Sequence, residues 1–523
     1  MSRRRLAPVT ALTALAALSA LTTLTTLTGC TLEPHYRRPA LPVPAAWPIP
    51  PSTPETAAPA GASATALKPL PPSSDNPGVI GGTRPAVDIG WREFFADPQL
   101  QRIIAVALAN NRDLRVAVLD IQQAHAQYVV QRAQSFPQLN ADGGYTKEKL
   151  SAAQFGFPVT TSYFTAEVAL SSFELDLFGR VRSLNHAALQ QYFAQSEARR
   201  ATQLSLIAQV AQQYLTLLSD RQLLKLAQDT LQSQQASYDI TVKEHDRGQV
   251  SGLDVAQAES TVEQARSDVA RYQGSIAQDT DALNLLAGAP VDTSQVPQAL
   301  DDRAFGIAAL PAELPSAVLL RRPDVLQAEH TLLASNADIG AARAAFFPAI
   351  SLTGDAGGVS TKLSNLLASG SSTWAFSPSL TLPLFRGGQL VGGLAEARVS
   401  RDIAIAQYEK AIQTAFREVA DAMALTGTLE RQVEAQQALV GATGRAYQLS
   451  QQRYKAGRDS YLNVLDSQRS YYAAQQTQIA ALLAQQNNRV TLYRALGGGW
   501  RETSQPPAQP AQPASATTPG LAQ

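Results

Sequence analysis

The chain is poor in most of what chemistry at a site requires. Of its 523 residues one is cysteine, which rules out an intrachain disulfide framework and a multi-cysteine zinc site. Five scattered histidines argue against a histidine-based metal site. Charged residues make up only 16%, with Lys plus Arg and Asp plus Glu at 43 each. A formal charge of zero speaks against a nucleic-acid binder, which needs a basic field, and leaves no acidic tail or polybasic anchor. The motifs GxxxxGK[ST], HExxH and GxSxG are absent. Gly387-Gly388…Gly392-Gly393 loosely resembles a phosphate loop and reads better as the turn that starts a helix. Beyond residue 30 no run is apolar enough for a transmembrane helix, which needs about 20 such residues. An enzyme, such as a periplasmic hydrolase, has no constellation to stand on, and neither cofactor nor metal is expected.

What is present begins with a targeting segment. Arg3, Arg4 and Arg5 precede an apolar stretch over residues 6–27, the pattern of an export signal. It ends Leu27-Thr28-Gly29-Cys30, which resembles the bacterial lipoprotein box, and the single cysteine sits where acylation would occur. Several acyl chains on one cysteine anchor stably, where one alone anchors marginally. Thr31 follows, so the Asp that favours inner-membrane retention in lipoproteins is missing. Pro/Ala-rich sequence over residues 39–85 reads as an extended tether, and the sequence after Trp500 as a disordered tail.

The remainder is duplicated. Asn111-Arg-Asp113 and Arg132…Phe136-Pro137 match Arg322-Pro-Asp324 and Arg343…Phe347-Pro348, with 24 positions from Asp to Pro in both. Gly248…Ser251-Gly-Leu253-Asp-Val255 matches Gly457…Ser460-Tyr-Leu462-Asn-Val464, and 40 positions separate Gly248 from Gly288 and Gly457 from Gly497. Each unit reads helix, two strands, long helix, turn, helix. The domains are therefore a signal at 1–29, the cysteine and tether at 30–90, first and second repeats at 91–310 and 311–500, and a tail at 501–523.

The strand segments alternate with period two. Phe164, Ala166, Val168 and Leu170 oppose Thr165 and Glu167, and near Ser171-Ser172 the apolar face switches to Phe173, Leu175 and Leu177, which predicts a bulge. In the second unit Ile350, Leu352 and Gly354 oppose Ser351, Thr353 and Asp355, while Phe376, Leu380, Leu382 and Leu384 oppose Ser377, Ser379 and Thr381. Four strands cannot build a sandwich core, and they cannot close a membrane barrel, for which about eight is the minimum. Since lipid tolerates no open edge, several copies must share one barrel. Phe136, Phe178, Phe347 and Phe385 mark the strand–helix junctions, as an interfacial girdle would. Residues 179–247 and 386–456 are proline-free and long enough for helices of about 105 Å. Leu204, Ile207, Ala211, Tyr214 and Leu218, and likewise Ile405, Tyr408, Ile412, Ala415, Val419 and Ala422, step by three and four, the signature of coiled-coil packing. Gly248 and Gly457 can supply the positive φ that reverses the chain, and Ser251 and Ser460 can N-cap the return helices.

These residues bring the chain close to a known family. Trp91-Arg-Glu-Phe94-Phe-Ala-Asp97-Pro98, Arg321-Arg-Pro-Asp324, Tyr461-Leu-Asn-Val-Leu-Asp466-Ser-Gln-Arg469 and Ala495-Leu-Gly-Gly-Gly-Trp500 resemble the outer-membrane factors of tripartite systems, the TolC- and OprM-like channels. They are most similar to the lipidated members that serve resistance–nodulation–division pumps. The resemblance implies a mainly α protein with a small β part. Three chains would form an α-barrel of long coiled-coil helices, continued by a shared 12-stranded transmembrane β-barrel with four strands per chain. It implies a homotrimer in outer-membrane lipid, working with a periplasmic adaptor and an inner-membrane pump as the exit duct for small molecules such as drugs. The alternatives are a duct for polypeptide secretion and a structural periplasmic lipoprotein. By the same resemblance, the tips at Gly248, Ser251, Gly457 and Ser460 dock the adaptor. Leu462, Asp466 and Arg469 form a periplasmic gate, with Asn463 where some members carry a further acid, and Tyr454 and Asp254 form a latch that holds it shut.

Overall fold

The computed structural model of the chain describes residues 31–47, 86–151, 153, 156–300 and 315–504. The expected export signal, Cys30 and most of the tether lie outside them. The repeats appear as paired elements. In the first, α1 (Pro98–Asn110) and α2 (Arg112–Ala133) lead into β1 (Gln138–Leu150) and β2 (Val159–Leu175), then α3 (Arg180–Asp246) and α4 (Gly252–Ala287). In the second, α5 (Pro323–Ala344) leads into β3 (Ala349–Ser360) and β4 (Ser372–Thr381), then α6 (Gln389–Lys455) and α7 (Tyr461–Ala495). The two long helices hold 67 residues each. Among the described residues no helix is long and apolar enough to cross a membrane.

The described structure divides into two compact units. One comprises the described residues of 31–40, 120–195 and 327–408, and the other those of 41–47, 86–119, 196–300, 315–326 and 409–504. The first contains the sheet, an antiparallel meander in the order β1-β2-β3-β4. The expected bulge is present: β2 slips against β3 between Leu170 and Phe173. Its consequence is a continuous apolar face. Leu139 pairs with Leu170 and Leu170 with Gly354; past the slip Phe173 pairs with Leu352, which pairs with Pro378. Without the extra residue, Phe173 and Leu175 would turn to the polar side that carries Asp142, Glu167 and Asp355. The strands stop earlier than the alternation predicts. β4 ends at Thr381 and leaves Leu382 and Leu384 outside, because Pro383 cannot donate a ladder bond. β2 ends at Leu175 and leaves Leu177 outside, where its N–H turns back to the Leu175 carbonyl at 2.9 Å.

In the second unit the heptad positions make the core. Ile207, Ala211, Tyr214 and Leu218 on α3, and Ile412, Ala415, Val419 and Ala422 on α6, are buried. The buried Tyr214 hydroxyl donates to Asp97 at 2.5 Å, and Asp97 also N-caps α1 by accepting from Gln99 and Leu100 ahead of Pro98. Duplication extends to side-chain bonds. Asn111 in the first repeat donates to the Leu286 carbonyl at 3.0 Å; Arg322 at the matching place donates to Ala495, the counterpart of Leu286. Arg322 is buried and held by Asp324 and Glu418. Two segments assigned to tether and tail are ordered instead. Trp47 stacks on Phe416 at 4.5 Å, and Arg501 and Glu502 accept backbone bonds from Trp91 and Arg92. Apolar and hydrogen-bonded contacts override their proline-rich surroundings.

One pair of acids on α3 and α4 couples this packing to pH. Asp279 accepts from Gln213 at 2.9 Å and lies close enough to Asp220 to feel its negative charge. Burial, then the Asp220 charge, raises Asp279 to about 6. A carboxyl raised on folding stabilises fully below its unfolded value near 4 and loses that contribution as pH rises through its folded value. The α3–α4 pairing should therefore weaken between about pH 4 and 6, and Asp279→Asn should flatten that dependence in thermal melts across this range.

Candidate functional site: the two helix-hairpin tips

Both tips are built by helix-termination chemistry. Gly248 and Gly457 sit at φ 69° and 70°, where a side chain would be strained. Gly248 N–H donates to His245 O at 2.7 Å and Gln249 N–H to Glu244 O at 2.9 Å; Gly457 and Arg458 repeat this with Tyr454 and Arg453 at 2.8 and 2.9 Å. Both are Schellman turns that satisfy the last carbonyls of α3 and α6. Beyond them the tips differ. Ser251 and Asp254 form a full capping box at the start of α4. Ser460 stands at the N-cap of α7 but makes no side-chain cap bond, contrary to expectation. Position 463 is Asn, so no carboxylate reaches back; instead Arg453 pairs with Asp459 across the turn at 2.5 Å.

Behind the tips lies a tyrosine-rich cluster. Ala258, Tyr461, Val464 and Leu465 are buried, with Tyr238, Tyr447 and Tyr454 packed against them. This sets the orientation of α7. With Tyr461, Val464, Leu465 and Gln468 turned inward, Leu462, Asp466 and Arg469 lie together on the exposed side, Leu462 at 52% exposure. Among the described residues neither Asp466 nor Arg469 forms an ion pair, which leaves both charges facing out.

The expected latch differs in its partner. Tyr454 does not bond Asp254, whose carboxylate is taken by the N–H and hydroxyl of Ser251. The Tyr454 hydroxyl donates to Glu244 Oε2 at 3.0 Å, joining the end of α6 to the end of α3. Burial, and then Glu244, push the phenol up to about 12, so it stays a donor at neutral pH. Glu244 went unnoticed in the sequence. The signal was in the repeat: four positions before the tip glycine the second unit has Arg453 and the first has Glu244.

The arrangement of repeats, sheet and tips matches known channels. The family described as outer membrane efflux protein matches twice, over residues 103–289 and 314–498. The chain belongs to the outer membrane efflux protein family. It is 44% identical to the toluene efflux pump outer membrane protein TtgC of Pseudomonas putida, over 94% of this chain and 96% of that one. It is 39% identical to the cation efflux system protein CusC of Escherichia coli, over 91% and 96%. Among solved structures, the open state of the Neisseria gonorrhoeae MtrE outer membrane channel superposes with a TM-score of 0.79 at 36% identity, covering 91% of this chain and all of that one. The structural neighbours are trimeric channels built of this same mainly helical chain with four strands. This efflux protein is thus an outer-membrane channel, the exit duct of an efflux system.

A phenol-to-carboxylate bond is worth about 1.5–3 kcal/mol where poorly solvated. Tyr454→Phe and Glu244→Gln should each raise the open probability of single channels, and the double variant should add little beyond either. Full additivity in single-channel recordings would show that the two side chains act apart.

Proposed function

We propose that three copies of this chain assemble into one passive conduit, lipid-anchored at Cys30, that receives small molecules from an inner-membrane pump through a periplasmic adaptor. The observation that carries this reading is the open sheet. β1 and β4 each have one unpaired edge, and an unpaired edge in hydrocarbon is costly. Three chains supply twelve strands and close both edges, in line with the trimeric neighbours. No catalytic step is part of this function, and energy coupling belongs to the partners. Relatives named for toluene and cation efflux favour small cargo over polypeptides.

The gate reading rests on the exposed stripe of α7. Threefold symmetry would set three Leu462 and three Asp466 around one axis. An apolar ring narrows a pore, and an acidic ring favours cations. Arg469 follows on the same stripe. With Asn463 beside it, the ring holds one acid per chain. The exposed turns at Gly248–Ser251 and Gly457–Ser460 are the docking surface for the adaptor.

Two measurements test this. In planar bilayers, Leu462→Ala with Asp466→Ala should raise single-channel conductance and weaken cation preference. Wild-type conductance and selectivity in that variant would place the constriction elsewhere. Replacing Gly248 and Gly457 by bulky residues should impair export while the channel still assembles, and full export with both replaced would remove the docking role. Mass spectrometry of the mature chain should find acyl groups on Cys30 and none after Cys30→Ala.

A further inference from the structure

Residues 31–38 lie along α5 as an extended strap. Leu32 O accepts from Arg343 at 3.1 Å, Pro34 O accepts from Asn336 Nδ2 at 2.7 Å, and Tyr36 and Arg38 both donate to Glu329. The contacts run antiparallel to the helix and in step with it. From Glu329 to Arg343 α5 rises about 21 Å, and six extended residues from Leu32 to Arg38 span about 20 Å. The three α5 residues are seven apart, so they form one stripe. Gly340 lies between them: a Cβ there would come within 2.9 Å of Glu33 Cα and 2.6 Å of Ser183 Oγ.

The strap also reaches α3. Glu33 sits 3.0 Å from His186 Nδ1, His186 contacts Gln190 at 3.0 Å, and Gln190 Oε1 contacts His330 Nδ1 at 2.7 Å. It thus bridges a helix of the first repeat and a helix of the second. The seam beneath it is made of small side chains, Ala187 against Ala334 and Ala337, with buried Ser183 beside Gly340. Such a seam brings helices close but buries little apolar area per residue.

The first repeat has no such groove. At the positions of Glu329, Asn336 and Gly340 its helix α2 carries Val118, His125 and Val129, and the two valines are exposed. Only the second repeat offers the carboxylate and the amide. The Glu329 side chain is 7% exposed and, among the described residues, takes all its hydrogen bonds from the strap: Tyr36 at 3.0 Å and a two-pronged Arg38 at 2.8 and 2.9 Å. A buried carboxylate left without its cation is strongly unfavourable.

We propose that residues 31–38 are an obligatory staple between the two repeats, and that Glu329, facing Tyr36 and Arg38, is the residue that makes its docking compulsory. The segment after the cysteine is then a working part of the helical body rather than the start of a slack tether. The test uses the full-length protein purified from membranes, followed by hydrogen–deuterium exchange and thermal melting. Arg38→Glu is made on a half-exposed side chain and leaves the core intact. It should speed exchange in residues 31–40 by about tenfold or more and lower the melting temperature. Glu329→Ala should do the same, and Arg38→Glu combined with Glu329→Arg should restore both readouts. Unchanged exchange in residues 31–40 of Arg38→Glu would overturn the role of the pair. Faster exchange with unchanged melting would make the segment a passenger, not a staple.

Discussion

A backbone N–H or C=O in hydrocarbon must have a partner, and the rest of this channel depends on that demand. Among the described residues the chain carries four paired strands in one open sheet. Its outer edges have partners only in other copies, so the membrane part is incomplete in one molecule by construction. The same demand explains the bulge in β2. One extra residue keeps Phe173 and Leu175 on the side of Leu170, so the face presented to lipid is apolar across all four strands.

Duplication solved a different problem. Each repeat supplies one strand pair and one long helix with its return, and the second is a copy adapted in detail. Asn111 and Arg322 do one job with different chemistry: each ties the start of its repeat to the last carbonyls of the return helix. The tips diverge further. One is closed by a capping box and the other by an ion pair across the turn, and Tyr454 reaches from the second to Glu244 beside the first. The exposed stripe of Leu462, Asp466 and Arg469 is what remains once Tyr461, Val464 and Leu465 of α7 have turned inward. Core packing and an exposed stripe of mixed polarity are thus two faces of one helix.

Polar bonds at buried places join the parts where apolar area is scarce. Tyr214 to Asp97, Arg322 to Glu418 and Arg38 to Glu329 each link segments far apart in the chain. With 16% charged residues there are few ions to spare, and several of the best-paired ones lie at such junctions. The Asp279 carboxyl, raised by burial and the neighbouring Asp220 charge, belongs to the same pattern, with acidity as its adjustable element.

Much of this was legible in one sequence because it is periodic or repeated. Heptad stripes, strand alternation, the bulge at Ser171-Ser172 and the tip glycines each follow from local spacing, and the two copies check one another. The grouping of Leu462, Asp466 and Arg469 on one face follows from helical pitch, whereas the packing of Tyr461, Val464 and Leu465 decides that this face is the exposed one. What only the tertiary structure decided concerns partners distant in sequence. Tyr454 chose Glu244 because Asp254 was already engaged by its own cap. The strand ends moved inward because Pro383 and the turn at Leu177 ended the ladders. The described parts of the segments that composition marks as tether and tail are ordered because Glu329, Phe416 and the free N–H groups of Trp91 and Arg92, at the start of a short helix over Trp91–Phe94, received them. Local spacing sets which face a residue presents, whereas a hydrogen bond across three hundred residues depends on where two helices come to lie.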